Sequence, residues 1–220
     1  SQVIKNQSAT YDALGRMKTW AEAGTATAPA SNTATSYDAS GNVRRTLANY
    51  YSLDANGNAS TFTTRDYWIR YDSMNRVVTN QGVLQNGAIV RGMGGLYGAA
   101  TGQDILYDAA GQRAAVVTTQ SYYNGYGGYS AYEVRENYFY DAAGRLTSTY
   151  QATGTAVYAA YGTNPTVPAA TGTGTLKSVF GYDLMGRATS QSDYDTNGYT
   201  VIFSRTAYYN GKGQLASDST

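Results

Sequence analysis

A six-residue unit, Tyr-Asp-x-x-Gly-Arg, recurs along the chain and leaves it few folds to choose from. It appears as Tyr11-Asp12-Ala13-Leu14-Gly15-Arg16, Tyr37-Asp38-Ala39-Ser40-Gly41-Asn42 and Tyr71-Asp72-Ser73-Met74-Asn75-Arg76. It returns as Tyr107-Asp108-Ala109-Ala110-Gly111-Gln112, Tyr140-Asp141-Ala142-Ala143-Gly144-Arg145 and Tyr182-Asp183-Leu184-Met185-Gly186-Arg187. Looser copies begin at Leu53-Asp54, Tyr194-Asp195 and Tyr209-Asn210. Aspartate at the start of a turn folds its carboxylate onto backbone N–H groups two residues on. Glycine three residues later accepts a positive φ without a steric penalty, and Asn75 is the next-best left-handed residue. That is the wording of a tight hairpin carrying a left-handed residue.

The flanking segments read as strands. Phe62 to Tyr71, Tyr138-Phe139-Tyr140 and Leu176 to Tyr182 precede turns, and Arg76 to Thr79 and Arg145 to Tyr150 follow them. Tyrosine occurs 23 times against 4 phenylalanines, and glycine 25 times, a composition suited to sheets with partly wet faces. The expected fold class is therefore all-β: tandem hairpins forming an extended, twisted or spiralling β-sheet strip, with no helix. Tyr11–Arg16, Tyr140–Arg145 and Tyr182–Arg187 are expected to meet as cross-strand pairs with the guanidinium on the ring. The units start at 11, 37, 71, 107, 140 and 182, spaced by inserts over Gly24 to Ser36, Gly82 to Gln103, Gln120 to Ser130 and Gln151 to Thr175. These inserts read as long hairpin ends or loops, and Asn164-Pro165 and Val167-Pro168 in the last cannot occupy a central strand. The whole of 1–220 reads as a single array, and its abrupt ends suggest a piece of a longer repeat protein.

The Tyr-Asp-x-x-Gly-Arg units, each followed by a strand, resemble the YD repeats of the Rhs (rearrangement hotspot) family. The likeness runs from Tyr11 to Gly213. It implies a strip of sheet that spirals into a hollow wall, which in the bacterial toxins of that family encloses a toxic domain. Partners implied are neighbouring repeats of the same polypeptide, an encapsulated toxin domain or identical subunits, at a secreted or bacterial cell-surface location. The family's core motif and self-cleaving aspartate site have no counterpart in this sequence.

Several chemistries are excluded or left thin. Histidine and cysteine are absent, so Ser-His-Asp, Cys-His and His- or thiolate-ligated metal sites cannot be built. Eight of the twelve aspartates (12, 38, 54, 72, 108, 141, 183 and 195) sit in turn units where backbone capping accounts for them. No enzyme activity is expected. Net charge of +1 with scattered basic residues argues against nucleic acid, and no apolar run is long enough to be a transmembrane segment. Asp193, Asp195 and Asn197 match the opening of a calcium loop and form the one candidate metal set, although Ser204 stands where a closing Glu belongs. Otherwise no cofactor is expected. Gly92-Met93-Gly94-Gly95 lacks the rest of a phosphate loop. Tyr122 to Tyr129, with Trp20 and Trp68, offer rings on which glycans stack. Three readings of function stand at this point: a repeat scaffold, a surface glycan-binding module and a self-assembling extracellular fibre whose strand edges pair with other chains.

Overall fold

A computed structural model describes residues 6–24, 29–54, 56, 59–92, 102–123, 127–160 and 166–220. Met93, Gly94, Gly95, Asn124 to Tyr126, Asn164 and Pro165, named above, lie outside them. The described residues form sixteen antiparallel strands and no helix. The chain divides into two compact units, Ser1–Asp104 and Ile105–Thr220.

In the first unit β1 (Gln7–Tyr11), β2 (Met17–Glu22), β3 (Ser31–Tyr37), β4 (Val43–Leu53), β5 (Ala59–Tyr71) and β6 (Val77–Gln85) pair strictly with their chain neighbours. A short β7 (Ala88–Val90) folds back on β6, and the start of β8 (Gln103–Tyr107) pairs with β6 through Thr79↔Asp104. Sequence-adjacent antiparallel pairing is what a run of hairpin turns dictates.

The second unit repeats the scheme. β9 (Arg113–Tyr123), β10 (Gly128–Tyr140) and β11 (Leu146–Thr153) are successive neighbours. A four-residue β12 (Val157–Ala160) continues alongside β10. β13 (Thr175–Tyr182), β14 (Ala188–Tyr194), β15 (Val201–Tyr209) and β16 (Leu215–Ser219) follow in order from β11.

Because chain direction alternates, every full copy of the repeat turns at the same edge of its unit. The turns at Asp54 and Asp195 join β4 to β5 and β14 to β15, and so lie on the opposite edge. They share the chemistry of the repeat and not its place. The inserts supply long hairpin ends as well as connecting segments: Ser31 to Ser36 belong to β3, Gly82 to Gln85 to β6, Gln120 to Tyr123 to β9 and Gln151 to Thr153 to β11. Runs of Thr, Ser and Tyr favour pleated backbone strongly enough to override their loop-like glycine content.

The buried apolar side chains among the described residues all lie in the second unit, and nine of the eleven are Ala or Val, the others being Ile105 and Tyr129. Tyr129, Ala131 and Ala159 form a cluster with Val167 against it. Residues 166–174, read from sequence as part of a loop, pack on this face. Ala170 N–H donates to the Glu133 carboxylate at 2.9 Å and the Asn137 amide donates to Thr173 C=O at 2.9 Å. Adjacent Val116 and Val117 are both buried, so both faces of β9 are covered there.

Candidate functional site

The turns are the recurring chemical feature, and each is built the same way. Asp12 N–H donates to Arg16 C=O at 2.9 Å and Gly15 N–H donates to Asp12 C=O at 3.0 Å. Gly15 has φ 74°, and Gly41, Gly111, Gly144, Gly186 and Asn75 occupy the same left-handed region. The same two backbone bonds close the turns at Asp38, Asp72, Asp108, Asp141, Asp183 and Asn210. A turn followed by a left-handed residue shifts the register. Tyr11 pairs with Met17 and Thr10 with Thr19, leaving Lys18 unpaired; Thr147 and Thr189 are left out in the same way.

The aspartate holds this loop from inside. Asp12 Oδ1 accepts the N–H of Leu14 and of Arg16, both at 2.9 Å, and Oδ2 accepts Arg16 Nε at 2.7 Å. Asp72–Arg76, Asp141–Arg145 and Asp183–Arg187 reproduce the arrangement with ion pairs of 2.6–2.8 Å. The backbone N–H of the arginine four residues on holds each of these carboxyls below its ordinary range, and the guanidinium adds to the effect. At Asp38 desolvation opposes the shift, but bonds from the Asn42 backbone and side-chain amide prevail. Asp108 Oδ1 accepts Gln112 N–H at 2.8 Å.

The expected contact between a tyrosine and the arginine of its own turn is not formed. Tyr140 pairs with Leu146 and Tyr182 with Ala188, because the left-handed residue rotates the arginine out of the cross-strand position. Each arginine instead reaches the next repeat. Arg16 lies 4.2 Å from the centre of the Tyr37 ring, Arg145 4.9 Å from Tyr182 and Arg187 4.5 Å from Tyr209. The tyrosine answers with its hydroxyl, which donates to the carbonyl of the residue after that arginine. Tyr37 bonds Met17 at 2.8 Å, Tyr182 bonds Leu146 at 2.8 Å and Tyr209 bonds Ala188 at 3.0 Å. Tyr71 to Val43 and Tyr140 to Arg113, both at 3.0 Å, obey the same rule. Burial pushes the Tyr71 and Tyr140 hydroxyls up; Asp38 adds to this at Tyr71, while at Tyr140 the Arg113 guanidinium opposes it and Asp108 adds a smaller upward push.

The arginine tip ends against the left-handed residue of the following turn. A Cβ at Gly41 would stand 3.2 Å from Arg16 Nη1, and one at Gly213 would stand 3.1 Å from Arg187 Nη1. Glycine there satisfies both its own φ and its neighbour's guanidinium. The exceptions obey the same logic. Asn42 stands where arginine usually does and donates its amide to Asn75 Oδ1 at 2.9 Å, while Gln112 donates to Gly144 C=O at 2.8 Å. The pairing of position 42 with position 75 was missed from sequence; its signal is that both depart from the consensus in consecutive repeats.

The remaining candidates fall elsewhere. Asp193 lies in β14, where its carboxylate accepts the Gln191 amide at 3.1 Å. Asp195 Oδ1 accepts the N–H groups of Asn197 at 3.0 Å and Gly198 at 2.8 Å, so that oxygen already caps its turn. No cluster of three or more potential metal-ligating residues occurs among the described residues. Trp68 is covered by Arg45, 5.0 Å from its ring, which is itself paired with Asp66 at 2.7 Å. Trp20 is flanked across β2 by Ala9 and Thr33.

Turns and staples together define an all-β tandem-hairpin repeat protein. No protein-family model and no curated protein matches the chain. Solved structures similar to it include a TcdB2-TccC3-Cdc42 complex, with TM-score 0.33, and a TcdB2-TccC3-TEV complex, with TM-score 0.30. Each is 14% identical over 95% of this chain, which spans 12% of the length of the chains it matches.

Proposed function

We propose that the chain is a non-catalytic structural scaffold, a stretch of Rhs-type wall whose activity is its shape. The observation that carries this is the repeated staple: an arginine of one turn on the tyrosine ring of the next, with that tyrosine's hydroxyl returned to the first repeat. A device that fixes each hairpin to its neighbour serves a continuous sheet. The repeat carboxylates are consumed in holding turns, which leaves them no role as acids or bases. The wall encloses a toxin domain, or the same strip is displayed at the cell surface. Export suits its Ser-, Thr- and Gly-rich, charge-poor surface. Cryo-electron microscopy of the parent polypeptide tests this. A spiralling strip around density from a non-repeat segment is expected for the enclosing wall. A strip that encloses nothing, on a protein labelled at the cell surface, selects display, and repeats that form separate globules refute the scaffold.

A further inference from the structure

On the side of the β9–β10–β11 sheet away from the Tyr129–Ala131 cluster lies a cleft of about 390 Å³, within the ~300–1,000 Å³ usual for small-molecule sites. Gln120 and Tyr122 come from β9, Tyr132 and Val134 from β10, and Gln151 and Thr153 from β11. The register puts Tyr132 opposite Gln120 and Val134 opposite Thr153, so these side chains project to one side. Val134 is buried and forms the floor, while Tyr122 is 53% exposed with its ring edge-on to Tyr132 at 6.3 Å.

The chemistry of the lining is selective. None of its described residues carries a charge. The Tyr132 hydroxyl donates to Gln120 Oε1 at 3.1 Å, which fixes the amide and directs its N–H groups away from that bond. The side chains of Gln151 and Thr153 have no hydrogen-bond partner among the described residues. An apolar ligand would leave these amides and hydroxyls unpaired, and an ionic ligand would find no counter-charge. A ring face beside neutral donors and acceptors complements a molecule that is apolar on its C–H face and hydroxylated at its rim. We propose that this cleft binds a neutral saccharide, one pyranose lying on Tyr122 with its hydroxyls bonded to Gln120 and Gln151. The site is independent of the wall reading, because it is built on strands and not on the turns.

The test titrates the whole chain with cellobiose, lactose and N,N′-diacetylchitobiose, followed by calorimetry and by amide chemical shifts. At least one disaccharide should give saturable shifts centred on residues 120–122, 132–134 and 151–153. Tyr122→Ala should weaken that binding about tenfold or more by removing the platform, with the unfolding midpoint checked in parallel. Gln151→Leu should weaken it without touching a ring. Tyr208→Ala, which removes an equally exposed ring on β15, should leave it unchanged. The proposal is overturned if no disaccharide gives saturable shifts, if 3′-sialyllactose binds and lactose does not, or if Tyr208→Ala weakens binding as much as Tyr122→Ala.

Discussion

Asn42 and Asn75 offer a quantitative trial of the staple, because both positions have a consensus alternative elsewhere in the chain. Asn42→Arg alone removes the 2.9 Å bond to Asn75 and drives a guanidinium toward the Asn75 side chain. The other repeats leave only 3.1–3.8 Å between Arg Nη1 and a Cβ at that place, and they carry glycine there. Losing one amide bond and crowding the tip costs about 1–2 kcal/mol, partly offset by an ion pair with Asp38. Asn75→Gly alone also loses the bond, worth about 1 kcal/mol, while φ 62° suits glycine without strain. In the double variant the arginine has room to stack on Tyr71, as Arg16 does on Tyr37, which restores about 0.5–1 kcal/mol. The two substitutions should therefore couple favourably by about 1.5–3 kcal/mol in urea unfolding followed by far-UV circular dichroism. Effects that add within about 0.5 kcal/mol would refute the reasoning.

Stability should also depend on pH at both ends. Asp12, Asp72, Asp141 and Asp183 have lowered pKa values, so their contribution is full above the ordinary carboxylate range near 3.8 and fades as pH falls through the folded values. Tyr71 and Tyr140 are raised, so stability holds below pH 10 and declines above it as the unfolded chain ionises first. A midpoint flat across that window and dropping on either side is expected; one that falls steadily from pH 5 to 9 would contradict it. Gly144→Val places a β-branched residue at φ 79° with its Cβ 3.0 Å from Gln112 Nε2, and should destabilise by about 1–3 kcal/mol; an unshifted urea midpoint would contradict it. Calcium and chelator should leave the melting temperature unchanged, because an Asp195 carboxylate oxygen is engaged by backbone N–H groups; a calcium-dependent rise would restore the candidate metal set.

The turns were legible because their chemistry is local: aspartate capping and a left-handed residue act within six residues, and both are visible in the letters. What joins one turn to the next was not legible. The distance from Arg16 to Tyr37 or from Arg145 to Tyr182 is set by intervening strands that vary in number and length, so no fixed spacing advertises the contact. The bulge at Lys18, Thr147 and Thr189 follows from turn geometry and leaves no residue signature. Nor does composition tell an insert that packs from one that loops. Residues 166–174 lie on the sheet because Glu133 and Asn137, far away in sequence, hold their backbone. The cleft on the reverse face likewise depends on cross-strand register.

The most direct measurement is a pair of double-mutant cycles that share one residue. Arg145→Ala is combined first with Tyr182→Leu and then with Tyr140→Leu, and unfolding free energies are compared. A coupling of about 0.5–1 kcal/mol between Arg145 and Tyr182, with none between Arg145 and Tyr140, is the predicted result. Coupling confined to Arg145 and Tyr140 would mean that each hairpin closes on itself, and that repeats are not stapled to one another.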